Sequence, residues 1–188
     1  MATLSFVQTD TAGDFSFGEF CASAPDGVGE ATINRQAVDG GTAGTSAVTI
    51  QVNKGDTQTV INLTFHPNTT TYAAGDWSVP VNVTSANTTL EFKSVYLCRV
   101  NSSGVNQETI ASITGLTTQL SGAVHTFNFT GVGEITAAAG DRVVFVGIVG
   151  MDVGVHADQT AQITPNQTIT TPIVATTTVN ADQVIAAN

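Results

Sequence analysis

Apolar and polar residues alternate with a period of two along much of this 188-residue chain. Val48, Ile50 and Val52 fall on one side of an extended backbone, and Thr49 and Gln51 on the other. Ile61, Leu63 and Phe65 alternate in the same way with Asn62 and Thr64, and Trp77, Val79, Val81 and Val83 with Ser78, Pro80, Asn82 and Thr84. Successive side chains of a strand project to opposite faces, so each run predicts a strand with one face in a core and one in water. Pro80 has no amide hydrogen to give a neighbour, which places its strand at a sheet edge or at a bulge. From Leu90 to Val100 the phase changes: Leu90 and Phe92 share one face, then Val95 and Leu97 take the other. A bulge is expected near Lys93 and Ser94. Val124 to Thr130 and Asp141 to Gly150 predict two more strands, the second apolar on both faces and therefore central. Short strands are expected around 3–8, 109–114 and 168–179.

Turn chemistry agrees with this reading. Gly-Asp pairs precede several predicted strands, at Gly13-Asp14, Gly55-Asp56, Gly75-Asp76 and Gly140-Asp141. Glycine takes positive φ at low cost and aspartate hydrogen-bonds turn backbone, so the pairs predict equivalent strand starts. No amphipathic helix of useful length is present. About eight strands separated by turns at short intervals predict an all-β protein, a single β-sandwich of jelly-roll type with extended N- and C-terminal arms. The arms are residues 1–20, an arm or edge strand, and 170–188, which lack a glycine turn. Residues 21–169 form the sandwich domain, and the most flexible-looking connection is Val38 to Ser46.

Composition changes the picture in three ways. Only 11% of residues are charged, against roughly 25% in an ordinary soluble domain. A surface built of Thr, Asn, Gln and Ser suits hydrogen-bonded contact with other subunits. Five basic residues against fifteen acidic ones leave a net charge of −10, and the basic ones, Arg35, Lys54, Lys93, Arg99 and Arg142, are scattered. Without a basic stripe to displace counterions, binding along nucleic-acid phosphates or to an anionic membrane is not expected. The N-terminus has neither a basic region nor a long apolar one, so no signal peptide is expected and synthesis in a cytoplasm is. Val143 to Met151 is too short for the ~20 apolar residues of a membrane helix.

Candidate chemistry is sparse. Cys21 and Cys98 have no metal-ligand spacing, and free, buried thiols are the expectation. Asp152, His156 and Asp158 are the one local group with cation-binding residue types, but without a second His or Cys nearby they predict no metal site. His66 and His125 read as solvent-facing strand residues. Gly44-Thr45-Ser46-Ala47-Val48 lacks the second glycine of a nucleophile elbow, and no nucleophile, base and orienting group can be assembled. No enzyme activity and no cofactor are expected. Seven N-x-S/T sequons start at Asn62, Asn68, Asn82, Asn87, Asn101, Asn128 and Asn166, three of them inside predicted strands, and glycosylation is not expected. Tyr72, Trp77 and Tyr96 are the candidates for a sugar-stacking platform, although Trp77 continues an inward valine stripe.

The run Ala74-Gly75-Asp76-Trp77-Ser78-Val79-Pro80-Val81-Asn82-Val83-Thr84, then Val95-Tyr96-Leu97-Cys98-Arg99-Val100-Asn101 and Ala139-Gly140-Asp141-Arg142-Val143-Val144-Phe145, resembles β-sandwich virion structural proteins of tailed bacteriophages, most of all capsid cement (decoration) proteins. The similarity covers roughly residues 70–150 and rests on turn-and-strand patterns. It implies a homotrimer made in the host cytoplasm that binds the major capsid protein on the outer face of the virion and bridges its subunits. Phe6, Phe15, Phe17 and Phe20 near the N-terminus, and Ile173, Val174 and Val179 of the C-terminal arm, are the expected contact residues. The alternative is a tail- or fibre-associated glycan-binding module, which an exposed platform around Tyr72 and Trp77 would favour.

Overall fold

The computed structural model describes residues 2–9, 33–39, 42–54, 58–66, 71–101, 106–136, 138, 140–151, 157–164 and 166–173. Thirteen strands make up the regular structure of these residues: β1 (Ala2–Gln8), β2 (Ile33–Asp39), β3 (Val48–Val52), β4 (Gln58–His66), β5 (Thr71–Tyr72), β6 (Gly75–Ser85), β7 (Asn87–Val100), β8 (Asn106–Leu120), β9 (Val124–Val132), β10 (Ile135–Thr136), β11 (Arg142–Gly150), β12 (Gln159–Ile163) and β13 (Thr168–Ile173). The protein is all-β, as the alternation predicts.

Ten strands follow one hydrogen-bonded path, β3-β12-β6-β13-β1-β2-β4-β11-β7-β8, with β9 added to the free side of β6; β5 and β10 pair separately. The path folds into two layers. Inward residues of β3, β12, β6 and β9, among them Ile50, Ile163, Trp77, Val81 and Phe127, share one core with Leu90, Phe92, Val95, Leu97, Val143 and Phe145 of β7 and β11. Ring contacts join strands that are not hydrogen-bonded to each other: Phe127 of β9 lies 4.9 Å from Phe92 and 5.9 Å from Phe145, centroid to centroid. These are the aromatic spacings of two sheet faces in contact. The strands β13, β1 and β2 connect the layers, and β2 runs parallel to β4 in an otherwise antiparallel sheet.

The phase change in β7 is a bulge, located where the side-chain pattern breaks. Phe92 pairs with Thr118 and Ser94 with Thr114 on one side, while on the other side Val149 opposes Phe92 and Ile148 opposes Ser94. Lys93 is the extra residue against β11, whereas on the other ladder β8 carries the excess, with Gly115, Leu116 and Thr117 opposite Lys93. It returns Val95 and Leu97 to the core face that Leu90 and Phe92 already occupy. The central position of β11 also follows from its sequence: it lies between β4 and β7, and Val143 through Gly150 are buried on both faces.

Pro80 departs from expectation, because β6 is flanked on both sides. On one side Pro80 opposes Thr126 of β9. On the other, β13 pairs only at Ser78, and β12 takes over at Val83. The carbonyl of Asn82 accepts from Thr164 N on that second side, so alternation turns the backbone polar groups of Pro80 the same way, into the gap between two partner strands. The missing amide hydrogen costs nothing there.

The Gly-Asp pairs are not equivalent either. Gly140 takes φ +89°, and Asp141 closes its own turn, its Oδ2 accepting from Ala138 N at 3.1 Å. Asp76 instead reaches across to a neighbouring strand, its Oδ1 accepting from Gly131 N at 2.8 Å. Gly13-Asp14 and Asp56 with Gly55 lie outside the described residues. The connection after β2 is fastened: Gly44 is buried and its amide donates to the Gln8 carbonyl at 2.9 Å.

Candidate interaction surface

The outer face of the β3-β12-β6-β9 layer is built by the polar half of the alternation. With Trp77, Val79, Val81 and Val83 in the core, Ser78, Asn82 and Thr84 must point outward, and the same logic exposes Thr126, Asn128 and Thr130 of β9, Thr160 and Gln162 of β12, and Thr49 of β3. Four strands at about 4.8 Å spacing give a plane roughly 15–20 Å across. It carries no charge except at its margins, at Asp76 at the start of β6 and at Lys54 and Asp158 beyond β3.

Hydrogen bonds hold this plane in place. Asn82 Nδ2 donates to Asn166 Oδ1 at 3.0 Å, and Gln167 Nε2 donates to the same oxygen at 2.6 Å. Thr84 and Thr164 hydroxyls meet at 3.3 Å. At the edge of the plane, Asn87 Nδ2 and Thr89 Oγ1 of β7 both donate to Gln159 Oε1, at 3.2 and 3.1 Å, and tie β12 to the other layer. Side chains fixed in this way lose less freedom on meeting a partner than free ones do.

Charge is gathered elsewhere and paired. Lys93, the bulge residue, holds Glu91 at 2.8 Å. Arg99 contacts Glu108 at 3.3 Å and Asp141 at 3.2 Å, tying β7 to β8 and to the turn before β11. The Arg99 pairs are structural ties between elements, whereas Lys93 and Glu91 are neighbours on β7 itself.

The candidate chemical groups do not converge. Of Asp152, His156 and Asp158, only Asp158 lies among the described residues. Its two oxygens accept from Lys54 N at 2.8 Å and Gln51 Nε2 at 3.4 Å, which makes it a loop anchor. Among the described residues no group of three metal-binding side chains comes together. His125 is half-buried, with Nε2 3.1 Å from the Ser121 carbonyl and its ring beside Phe92, so it is less solvent-facing than its place in the sequence suggests. The side chains of His66 and His156 lie outside the described residues.

Two expectations are corrected. The aromatic platform is absent: Tyr72 and Trp77 are fully buried, rings 5.0 Å apart, and Tyr96 is buried too. A sugar has no stacking surface at these residues. Cys98 is not a free thiol but one half of a disulfide. The apolar strand around it signals burial, and burial suits a disulfide as well as a thiol. Cys21, the only other cysteine of the chain, lies outside the described residues.

Of the expected contact residues, Phe6 is in β1, opposite Ile169 of β13 and Asp39 of β2, and Ile173 is in β13, opposite Ala2. The two ends of the chain that look like separate arms in the sequence are adjacent strands over this length. Phe15, Phe17, Phe20, Val174 and Val179 lie outside the described residues. The neutral plane itself is missed by sequence reasoning. Each strand's wet face is readable there, but not which wet faces stand side by side.

No protein-family model matches the chain, and no curated protein matches it either. Among solved structures, a CocE/NonD family hydrolase from Staphylococcus aureus is similar at 10% identity and TM-score 0.46, over 74% of this chain and 34% of that one. Structures of infectious bursal disease virus are similar at 12% identity, the Gx strain at TM-score 0.38 over 70% of this chain and 30% of that one, the Gt strain at 0.34 over 70% and 32%. The chain thus spans about a third of the length of the solved structures it matches. At these TM-scores the likenesses carry no argument about function.

Proposed function

We propose that this protein is a non-enzymatic virion structural protein, a cement protein of a tailed bacteriophage that binds the outer capsid surface as a homo-oligomer and bridges shell subunits. The observation that carries the reading is the uncharged, hydrogen-bonded plane of β3, β12, β6 and β9 on a chain of net charge −10. A rigid neutral surface can lie against a protein shell without like-charge repulsion, and its amides and hydroxyls both donate and accept. The disulfide at Cys98 supports the same reading, because disulfides persist in oxidising surroundings outside cells. The resemblance of residues 70–150 to cement proteins supplies the partner, the major capsid protein, and a trimer as the oligomer.

The test is to mix purified protein with capsids that lack it, then measure stoichiometric rebinding and survival of the particles on heating. Saturable rebinding with raised heat resistance is expected. Thr84→Glu and Gln162→Glu, each placing a charge on the neutral plane, should weaken rebinding about 10-fold or more. Absence of rebinding, or rebinding at the tail alone, would sink the cement reading.

A further inference from the structure

The layer of β3, β12, β6 and β9 has an edge that no described strand closes. β9 pairs with β6 and with no other strand among the described residues. The Ala123 carbonyl accepts from Val83 N at 3.0 Å, and in the same register Val124 opposes Asn82, Thr126 opposes Pro80 and Asn128 opposes Ser78. Bonded and non-bonded pairs alternate along an antiparallel ladder. His125, Phe127 and Phe129 therefore bond β6, while the amides and carbonyls of Val124, Thr126 and Asn128 point to the open side. Pro80 agrees with this assignment, since it has no amide hydrogen to give and stands opposite Thr126.

An open row of backbone donors and acceptors is a template for another strand, and proteins blunt the edges they keep single. The two ends of the sheet path are blunted. β8 shifts register against β7 at four places, and bulges twist an edge away from a flat partner. β3 is five residues long, and Lys54 follows close behind it. β9 carries no such device from Val124 to Phe129, where it stays in register with β6. Between Ser121 and Gly133 there is no proline, no lysine or arginine and no acidic residue. Val124, 48% exposed, is the one exposed large apolar side chain among the described residues, and it shares the outer face with Thr126 and Asn128.

We propose that β9 pairs antiparallel with β9 of a second copy of this chain about a two-fold axis, which closes the edge in both. A strand paired with its own copy brings the same residues to the contact from both sides, so the open donors and acceptors of Val124, Thr126 and Asn128 meet their counterparts. Charge favours a copy here: two chains of net charge −10 repel each other, and this edge lets them meet without an ionised carboxylate or ammonium. His125 turns inward, beside Phe92. On the outer face, β-branched and amide side chains stand next to one another across the pair, a stabilising cross-strand arrangement. The two neutral planes become one of eight strands. The contact is separate from any three-fold association, and a trimer that also used it would be a hexamer. It stands whether or not the protein binds capsids.

Two measurements on the full chain test it, and neither depends on capsids. By sedimentation equilibrium the wild type should have twice the 19.3 kDa mass of one chain, or an even multiple of it. Thr126→Lys, which sets like charges side by side across the pair, should halve that mass at the same concentration. An odd multiple in the wild type, or a mass that Thr126→Lys leaves unchanged, would overturn the proposal. Amide hydrogen exchange reads the edge itself. In the wild type Val124, Thr126 and Asn128 should exchange slowly, and in Thr126→Lys they should lose that protection while His125 and Phe127, bonded to β6, keep theirs. Fast exchange at the three amides of the wild type would overturn the pairing. Slow exchange there in a protein of single-chain mass would give the edge to another part of the same chain and overturn it too. If Thr126→Lys also exposes His125 and Phe127 it has unfolded, and the mass and exchange of the wild type decide.

Discussion

Gln8 and Pro80, 72 residues apart in the chain, meet where the sheet changes partners: Gln8 Nε2 donates to the Pro80 carbonyl at 2.6 Å, and both residues are buried. The gap between β13 and β12 leaves that carbonyl without a strand to bond it, and a side chain from β1 does so instead. Gln8→Leu keeps the volume and removes the donor, leaving a buried oxygen unsatisfied. The expected cost is about 1–3 kcal/mol, read from urea unfolding with an unchanged slope.

Gly147 sits in β11 opposite Ile61 of β4, and a Cβ there would lie 2.8 Å from Ile61 Cγ1. Gly147→Ala is therefore expected to destabilise the protein by about 1–3 kcal/mol through overpacking. Pairing it with Ile61→Ala should give a double-mutant cycle in which the two losses sum to more than the measured total. Additive losses would show that the strands shift apart instead of clashing.

Arg99 joins three elements through Glu108 and Asp141. Arg99→Met keeps the stem and deletes the charge, leaving the Asp141 carboxylate buried with only its turn amide. A loss of about 1–3 kcal/mol is expected, whereas Glu108→Gln, at an exposed partner, should cost less than about 1 kcal/mol. Thermal unfolding of the two variants side by side checks the ordering.

Strand character and core residues were legible in the sequence because a two-residue period needs only local information: Val48 to Val52, Trp77 to Val83 and the bulge at Lys93 all stand where the alternation puts them. What was not legible is pairing across long separations. The parallel neighbour of β4, Ile33–Asp39, has weak alternation, and β12 is short; both are held by partners far away in sequence. Pro80 was misplaced for the same reason, since a sheet edge and a change of partner strand look alike from one strand. The disulfide state of Cys98 is likewise something no local pattern reports.

Trp77 decides between the two surface readings. Trp77→Phe is expected to lower stability by about 1–3 kcal/mol through the loss of buried volume and to leave any binding to glycans or cells unchanged. A glycan array on which the wild type binds and Trp77→Phe does not, at equal folded fraction, would restore the platform.

Truncation after Ile173 retains all of β13, whose pairing with β1 ends at Ala2 opposite Ile173. On the proposed function the shortened protein should rebind capsids less tightly if residues 174–188 contribute to attachment, and its unfolding midpoint, measured alongside, separates lost contacts from lost fold. Unchanged affinity would assign attachment to the sandwich alone.

The pairing of β1 with β13 also sets a timetable. At about 5–20 residues per second of synthesis, Ala2 waits on the order of ten seconds or longer for its partner strand to exist. The strip that joins the two layers therefore cannot form before residues 168–173 have been made, and until it does the layers are held together by their apolar faces alone. Any surface that requires both layers in register becomes available to partners only after that.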